Sequence, residues 1–172
     1  MHSAKAPSPE EAYLYYYDGI RPGKKKLIAR TSTHVWDLSV NIEQQVLEES
    51  HPAVLDKMFA PPEDDDGDVL MDQILDATTS LRIRYMTVTH TGTKDVDWQT
   101  VLLIDVEAGT LSWEDGYRIA MQCKGLMQDC GLLDVEVEIR EKVEDDDGAM
   151  ARLWHAVALA CQDDVDNIDF WE

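Results

Sequence analysis

Two periods organise the hydrophobic positions of this chain. Val135, Val137 and Ile139 alternate with Glu136, Glu138 and Arg140, the spacing of a strand with one buried face. "SLRIRYMTVTH" alternates in the same way, with Leu81, Ile83 and Tyr85 against Arg82, Arg84 and Met86. "WQTVLLIDV" is almost continuously apolar, which predicts a strand buried on both faces. Only the turn "TGTKDVD" separates these last two, so they predict a hairpin. "LIART", Leu27 to Thr31, predicts a further short strand.

The helical period is clearest in "SWEDGYRIAMQCKGLMQDCG", where Ile119, Cys123, Leu126, Met127 and Cys130 fall on one face. Ser112 and Asp115 make a capping box at its start, and Gly131 stands where a C-cap glycine belongs. "VNIEQQVLEE", with Val40, Val46 and Leu47, also reads as a helix, which Pro52 breaks or restarts. Val54, Leu55, Met58 and Phe59 then continue at helical spacing. "GAMARLWHAVALACQ" puts Met150, Leu153, Trp154, Val157 and Cys161 on one side of a last helix.

The resulting order is β-α-β-β-α-β followed by an extra C-terminal helix. It predicts an α+β, ferredoxin-like sandwich, with two helices on one face of a four-stranded antiparallel sheet. Val135, Val137 and Ile139 then meet Cys123 and Met127, and Arg30 of the first strand lies beside Glu138 of the last. The Tyr-rich "YLYYYDG" and the last helix are available to cover the opposite face. Residues 1–12, rich in Ser, Pro and Glu, are expected to be flexible, and residues 13–172 to form a single α+β domain.

At 44% hydrophobic residues the chain has enough apolar surface for a core, and its formal net charge is −20. That charge argues against nucleic acid, because phosphate binding requires Lys and Arg, and against anionic membrane surfaces. Solubility is its plainest role, with capture of a basic partner as the other. No apolar run approaches the ~20 residues of a membrane helix, and the first residues lack the apolar centre of a signal peptide. Cys123 and Cys130 are two helical turns apart, roughly 10.5 Å of rise, too far for a disulfide. With Cys161 making an odd count, the expectation is a reducing, cytoplasmic environment.

The acidic run "PEDDDGDVLMD" invites a calcium reading, since Asp64, Asp66 and Asp68 have the 1-3-5 spacing of an EF-hand loop. Position six is Val69 where glycine belongs, and position twelve is Leu75 where glutamate belongs. No metal site and no cofactor are therefore expected, and His2, His34, His51, His90 and His155 have no zinc-ligand spacing. Nucleophile-elbow, phosphate-loop and dinucleotide motifs are absent from the sequence. The one cluster with chemical potential is "ARTSTHVWD". There Arg30, Thr31, Ser32, Thr33, His34 and Trp36 place a cation, three hydroxyls, an imidazole and an indole just beyond a strand. His34 is the candidate general base, with Arg30 a holder of carboxylate or enolate. Arg30, Thr31, Thr33 and Trp36 are the candidate ligand-binding set. The structural alternative pairs Arg30 with Glu138, has the hydroxyls cap the turn and packs Trp36 in the core.

Several segments also carry a family likeness: Arg30, Thr31, Thr33 and Trp36; Leu111, Ser112, Asp115 and Gly116; and Gly131, Asp134, Val135, Val137, Glu138, Ile139, Arg140 and Glu141. Over residues 27–142 the chain resembles a large family of filamentous-fungal proteins with Arg-Thr-x-Thr-x-x-Trp and Asp-Val-x-Val-Glu-Ile-Arg-Glu segments. Leu132 stands where the family pattern has Ile. The resemblance implies a fungal origin, and many relatives carry a further C-terminal domain; it implies no established activity. The expectation is thus an acidic interaction or accessory domain without catalytic activity. The alternative is a small enzyme or ligand-binding protein of fungal secondary metabolism with a pocket near Arg30, His34 and Trp36. Its partner is a protein or a small molecule, and a homodimer is compatible with the fold.

Overall fold

The computed structural model describes residues 6–9, 11–12, 25–34, 42–46, 52–61, 67–93 and 96–142. In chain order these form β1 (Lys25–Arg30), β2 (Ile42–Val46), α1 (Pro52–Phe59), α2 (Leu70–Ala77), β3 (Ile83–Thr93), β4 (Val96–Val106), α3 (Trp113–Asp129) and β5 (Val135–Lys142). The fold is mixed α+β. One sheet runs in the order β1-β5-β4-β3-β2, with β4 and β5 parallel and the other neighbours antiparallel.

This differs from the ferredoxin-like expectation in four ways. A ferredoxin-like order seats the first strand between the last strand and β4. Here β5 takes that central place and β1 the edge. The sheet is mixed, because β4-α3-β5 is a parallel unit whose crossover carries a helix, and β2 makes it five-stranded. The segment read as a helix, "VNIEQQVLEE", instead contributes β2, paired from Ile42–Thr93 to Val46–Thr89. Ile42 and Val46 are four apart, a spacing that satisfies period two and a helical turn equally. A third helix, α2, was not anticipated.

β1 suits an edge. It is short, begins with two lysines and carries a bulge between Leu27 and Ala29, all features that discourage further pairing. Of residues 1–12, expected to be flexible, Ser8 and Ala12 are joined by a main-chain bond beside it. There Ala12 N donates to Ser8 O at 2.8 Å, and Ala12 is buried.

The main core lies on the helical face. Leu102, Ile104 and Val106 of β4 and Val135, Val137 and Ile139 of β5 meet Ile119, Ala120, Cys123 and Met127 of α3, with Met58 of α1 and Leu70 and Ile74 of α2. α3 lies close over β1 at Gly116. A methyl group there would stand 3.2 Å from Ile28 Cγ2 and Leu111 Cδ2. Ser112 caps the helix by accepting from Asp115 N. The other end closes as a Schellman motif: Gly131, at φ 76°, donates to Gln128 O, and Leu132 N donates to Met127 O.

On the opposite face the two central strands are buried too. Val101, Leu103 and Asp105 of β4 and Glu138 and Arg140 of β5 are all nearly inaccessible. The charged side of the β5 alternation is therefore interior, as befits a central strand. The Tyr-rich segment, the predicted last helix, Trp36 and most of both acidic runs lie outside the described residues.

Candidate functional site

The chain leaves the sheet at Thr31. Its N–H still donates to Val137 O at 3.0 Å, but the return bond from Val137 N goes to the Thr31 hydroxyl at 2.9 Å. A side-chain oxygen takes the place of a main-chain carbonyl, so the ladder ends with its donor satisfied. The same hydroxyl donates to Glu136 Oε2. Both oxygens of Glu136 also receive Lys124 Nζ, at 2.7 Å, which fixes the carboxylate from the α3 side.

Ser32 makes the next step. Its buried Oγ accepts from His34 N at 3.1 Å and donates to Gln99 Oε1 at 3.2 Å. The first bond is the local hydroxyl turn that serine favours; the second ties the loop to β4. Arg30 closes the turn from the strand side, donating from Nη1 to His34 O at 2.6 Å. Its Nη2 stands 2.5 Å from Glu11 Oε1, a charge contact with the N-terminal turn.

Arg30, Thr31, Ser32 and His34 thus come together in one tight loop, while Thr33 is exposed and Trp36 lies outside the described residues. Arg30 faces Glu138 in register, as the sequence suggested, but its guanidinium is engaged by His34 O and Glu11. The hydroxyls of Thr31 and Ser32 each donate and accept, and both hold main chain in place.

Next to this loop is a shallow hollow of about 480 Å³, lined by His90, Trp98, Gln99, Thr100, Leu133, Asp134 and Glu136. Gln99 and Glu136 are the residues that anchor Ser32 and Thr31. The His90 ring lies flat on Trp98, with centroids 4.9 Å apart and planes 11° from parallel, and its Nδ1 is 3.2 Å from Thr100 Oγ1. Sequence reasoning did not find this group. Its members come from three strands, β3, β4 and β5, and from the turn before β5, and only the β3-β4 register joins His90 to Thr100.

Among the described residues no group of three or more His, Cys, Asp or Glu is placed to hold a metal ion. Cys123 and Cys130 are free thiols, the first buried and the second exposed. Burial pushes the Cys123 thiol up to about 11, well outside the range of a thiolate nucleophile at neutral pH. Comparison with family models, with curated proteins and with solved structures found no match for the chain.

Proposed function

We propose that this chain is an acidic interaction or accessory domain without catalytic activity of its own. One observation carries the reading. The side chains best suited to chemistry, Arg30, Thr31 and Ser32, are engaged in holding the end of β1 to β5 and β4. A catalytic arginine or hydroxyl must instead face a reacting group. The proposed compartment is cytoplasmic. No described helix is long and apolar enough to cross a membrane, and the two described cysteines are unpaired.

Thermal melting of Arg30→Met and Ser32→Ala tests the reading. In an architectural loop both variants melt clearly below the parent protein, since each removes a partner from a half-buried or buried main-chain contact. Unchanged or raised melting would show that these groups are held for a ligand at a cost to stability. The second reading, a ligand-binding protein, is favoured by the hollow beside the loop. It requires a small molecule that alters the fluorescence of Trp98 and loses that effect when His90 is replaced.

A further inference from the structure

In a chain of net charge −20, cations are not scattered over the sheet. Lys25 and Lys26 open β1, Arg140 and Lys142 close β5, and Arg82 and Arg84 stand at the start of β3. Register brings all six to one end: Lys25 lies opposite Lys142, Arg140 beside Asp105, and Ile83 opposite Val106. The carboxylates in the same row are Asp105, Glu107 and Glu141. Asp105 is taken by Lys25 and Arg140, and Glu141 by Lys26 and the N–H of Gly109. Glu107 alone serves both Arg82, at 3.2 Å, and Arg84, at 3.1 Å. Among the described residues of this row, six cations stand against three carboxylates.

The surface is also open. Arg82 is 75% and Arg84 59% exposed in their side chains, and each guanidinium uses one contact of the five donors it has. Tyr85 follows Arg84 at a bulge between Ile83 and Tyr85, and it is 55% exposed. Two open guanidinium forks and an exposed aromatic ring form an arrangement suited to carboxylates carried on a partly apolar body.

We infer that this end of the sheet docks a short acidic segment of a partner protein, its carboxylates on Arg82 and Arg84 and its apolar body against Tyr85. The inference rests on the interaction-domain reading and names the partner's chemistry. The row crosses three strand spacings, roughly 15 Å, and surface charges are screened over about 8 Å at physiological salt. A short segment therefore feels the local cations, whereas a nucleic acid would extend past them over an acidic surface.

The test is fluorescence anisotropy with a fluorescein-labelled oligoglutamate carrying one phenylalanine. Binding is expected at about 50 mM salt and should weaken at about 200 mM. Arg82→Gln with Arg84→Gln should weaken it about tenfold, and Tyr85→Ala should weaken it too. Lys57→Gln with Arg118→Gln, which removes the same charge outside the row, should leave it unchanged. Equal loss in both double variants, or no binding to the parent protein at low salt, overturns the inference. So does equally tight binding of an oligothymidylate of the same charge, which would show that the row reads only anion density. Failure here with lowered melting of Arg30→Met removes the docking surface and leaves the domain reading in place; unchanged melting of that variant removes the reading itself.

Discussion

Asp105 on β4 and Arg140 on β5 stand side by side on parallel strands, both nearly out of solvent, with Asp105 Oδ1 2.8 Å from Nε and from Nη2 of Arg140. The second oxygen of the carboxylate lies 2.9 Å from Lys25 Nζ on β1. One buried carboxylate thus joins three strands, and it is the reason β5 can carry an arginine in the middle of the sheet.

Removing one partner of such a pair leaves a charge buried without compensation. Asp105→Ala should cost about 3–5 kcal/mol in urea unfolding. The double variant Asp105→Leu with Arg140→Met should regain most of that loss, since apolar replacements of buried pairs are often neutral or stabilising. Lys25, at 20% side-chain exposure, has a route to water in the double variant. A double variant as unstable as the single would show that the pair holds the strand order by more than charge compensation.

Two glycines of the α3 region should respond in opposite directions to alanine. Gly125 lies inside the helix with open space where a methyl would go, so Gly125→Ala should stabilise by about 0.5–1 kcal/mol. Gly131 holds a left-handed conformation at φ 76°, so Gly131→Ala should destabilise by about 1–2 kcal/mol. Equilibrium denaturation of the two variants side by side reads both signs.

The thiols should separate by accessibility. Cys130 should react with a thiol reagent in the native state, and Cys123 only on unfolding. Because the Cys123 thiol is raised from 9.0 to about 11 in the fold, the unfolded chain loses its proton first as pH rises. The stability linked to this group is fully present below pH 9 and declines between pH 9 and about 11. Cys123→Ala should show a shallower loss of stability across that interval than the parent protein. Equal slopes would mean that the thiol is not buried in solution.

Calcium in the micromolar range, and EDTA, should leave the melting temperature where it is, because a tight ligand of the folded state must raise it. Helix α2 already begins at Leu70, the seventh position counted from Asp64. A twelve-residue calcium loop has no room there. A clear upward shift with micromolar calcium would overturn this.

What the sequence made legible was local. The capping of α3 by Ser112, its closure at Gly131 and the burial of the nearly continuous apolar run of β4 each depend on residues near one another in the chain, and each is found as expected. The run of Leu70, Met71, Ile74 and Ala77 carries a short helical signal for α2, which the adjoining acidic loop obscures. The place of β5 was not legible. Its charged alternation reads as a solvated face, and only the approach of Asp105, 35 residues earlier, allows Arg140 to be interior. The candidate loop shows both sides of this. Its cluster of polar side chains was visible, whereas their partners Gln99, Glu136 and Glu11 belong to other segments.

The central position of β5 also sets a timetable for synthesis. β3 and β4 can pair as soon as their hairpin clears the ribosome, and α3 follows at once. β1, made before either, pairs among the described residues with β5 alone, and the contact between Thr31 and Glu136 spans 105 residues. Among the described strands β1 has none to join until β5 is made, so this sheet is completed only when its earliest strand is recruited by its latest. That closure joins segments far apart in the chain, which makes it entropically costly and slow.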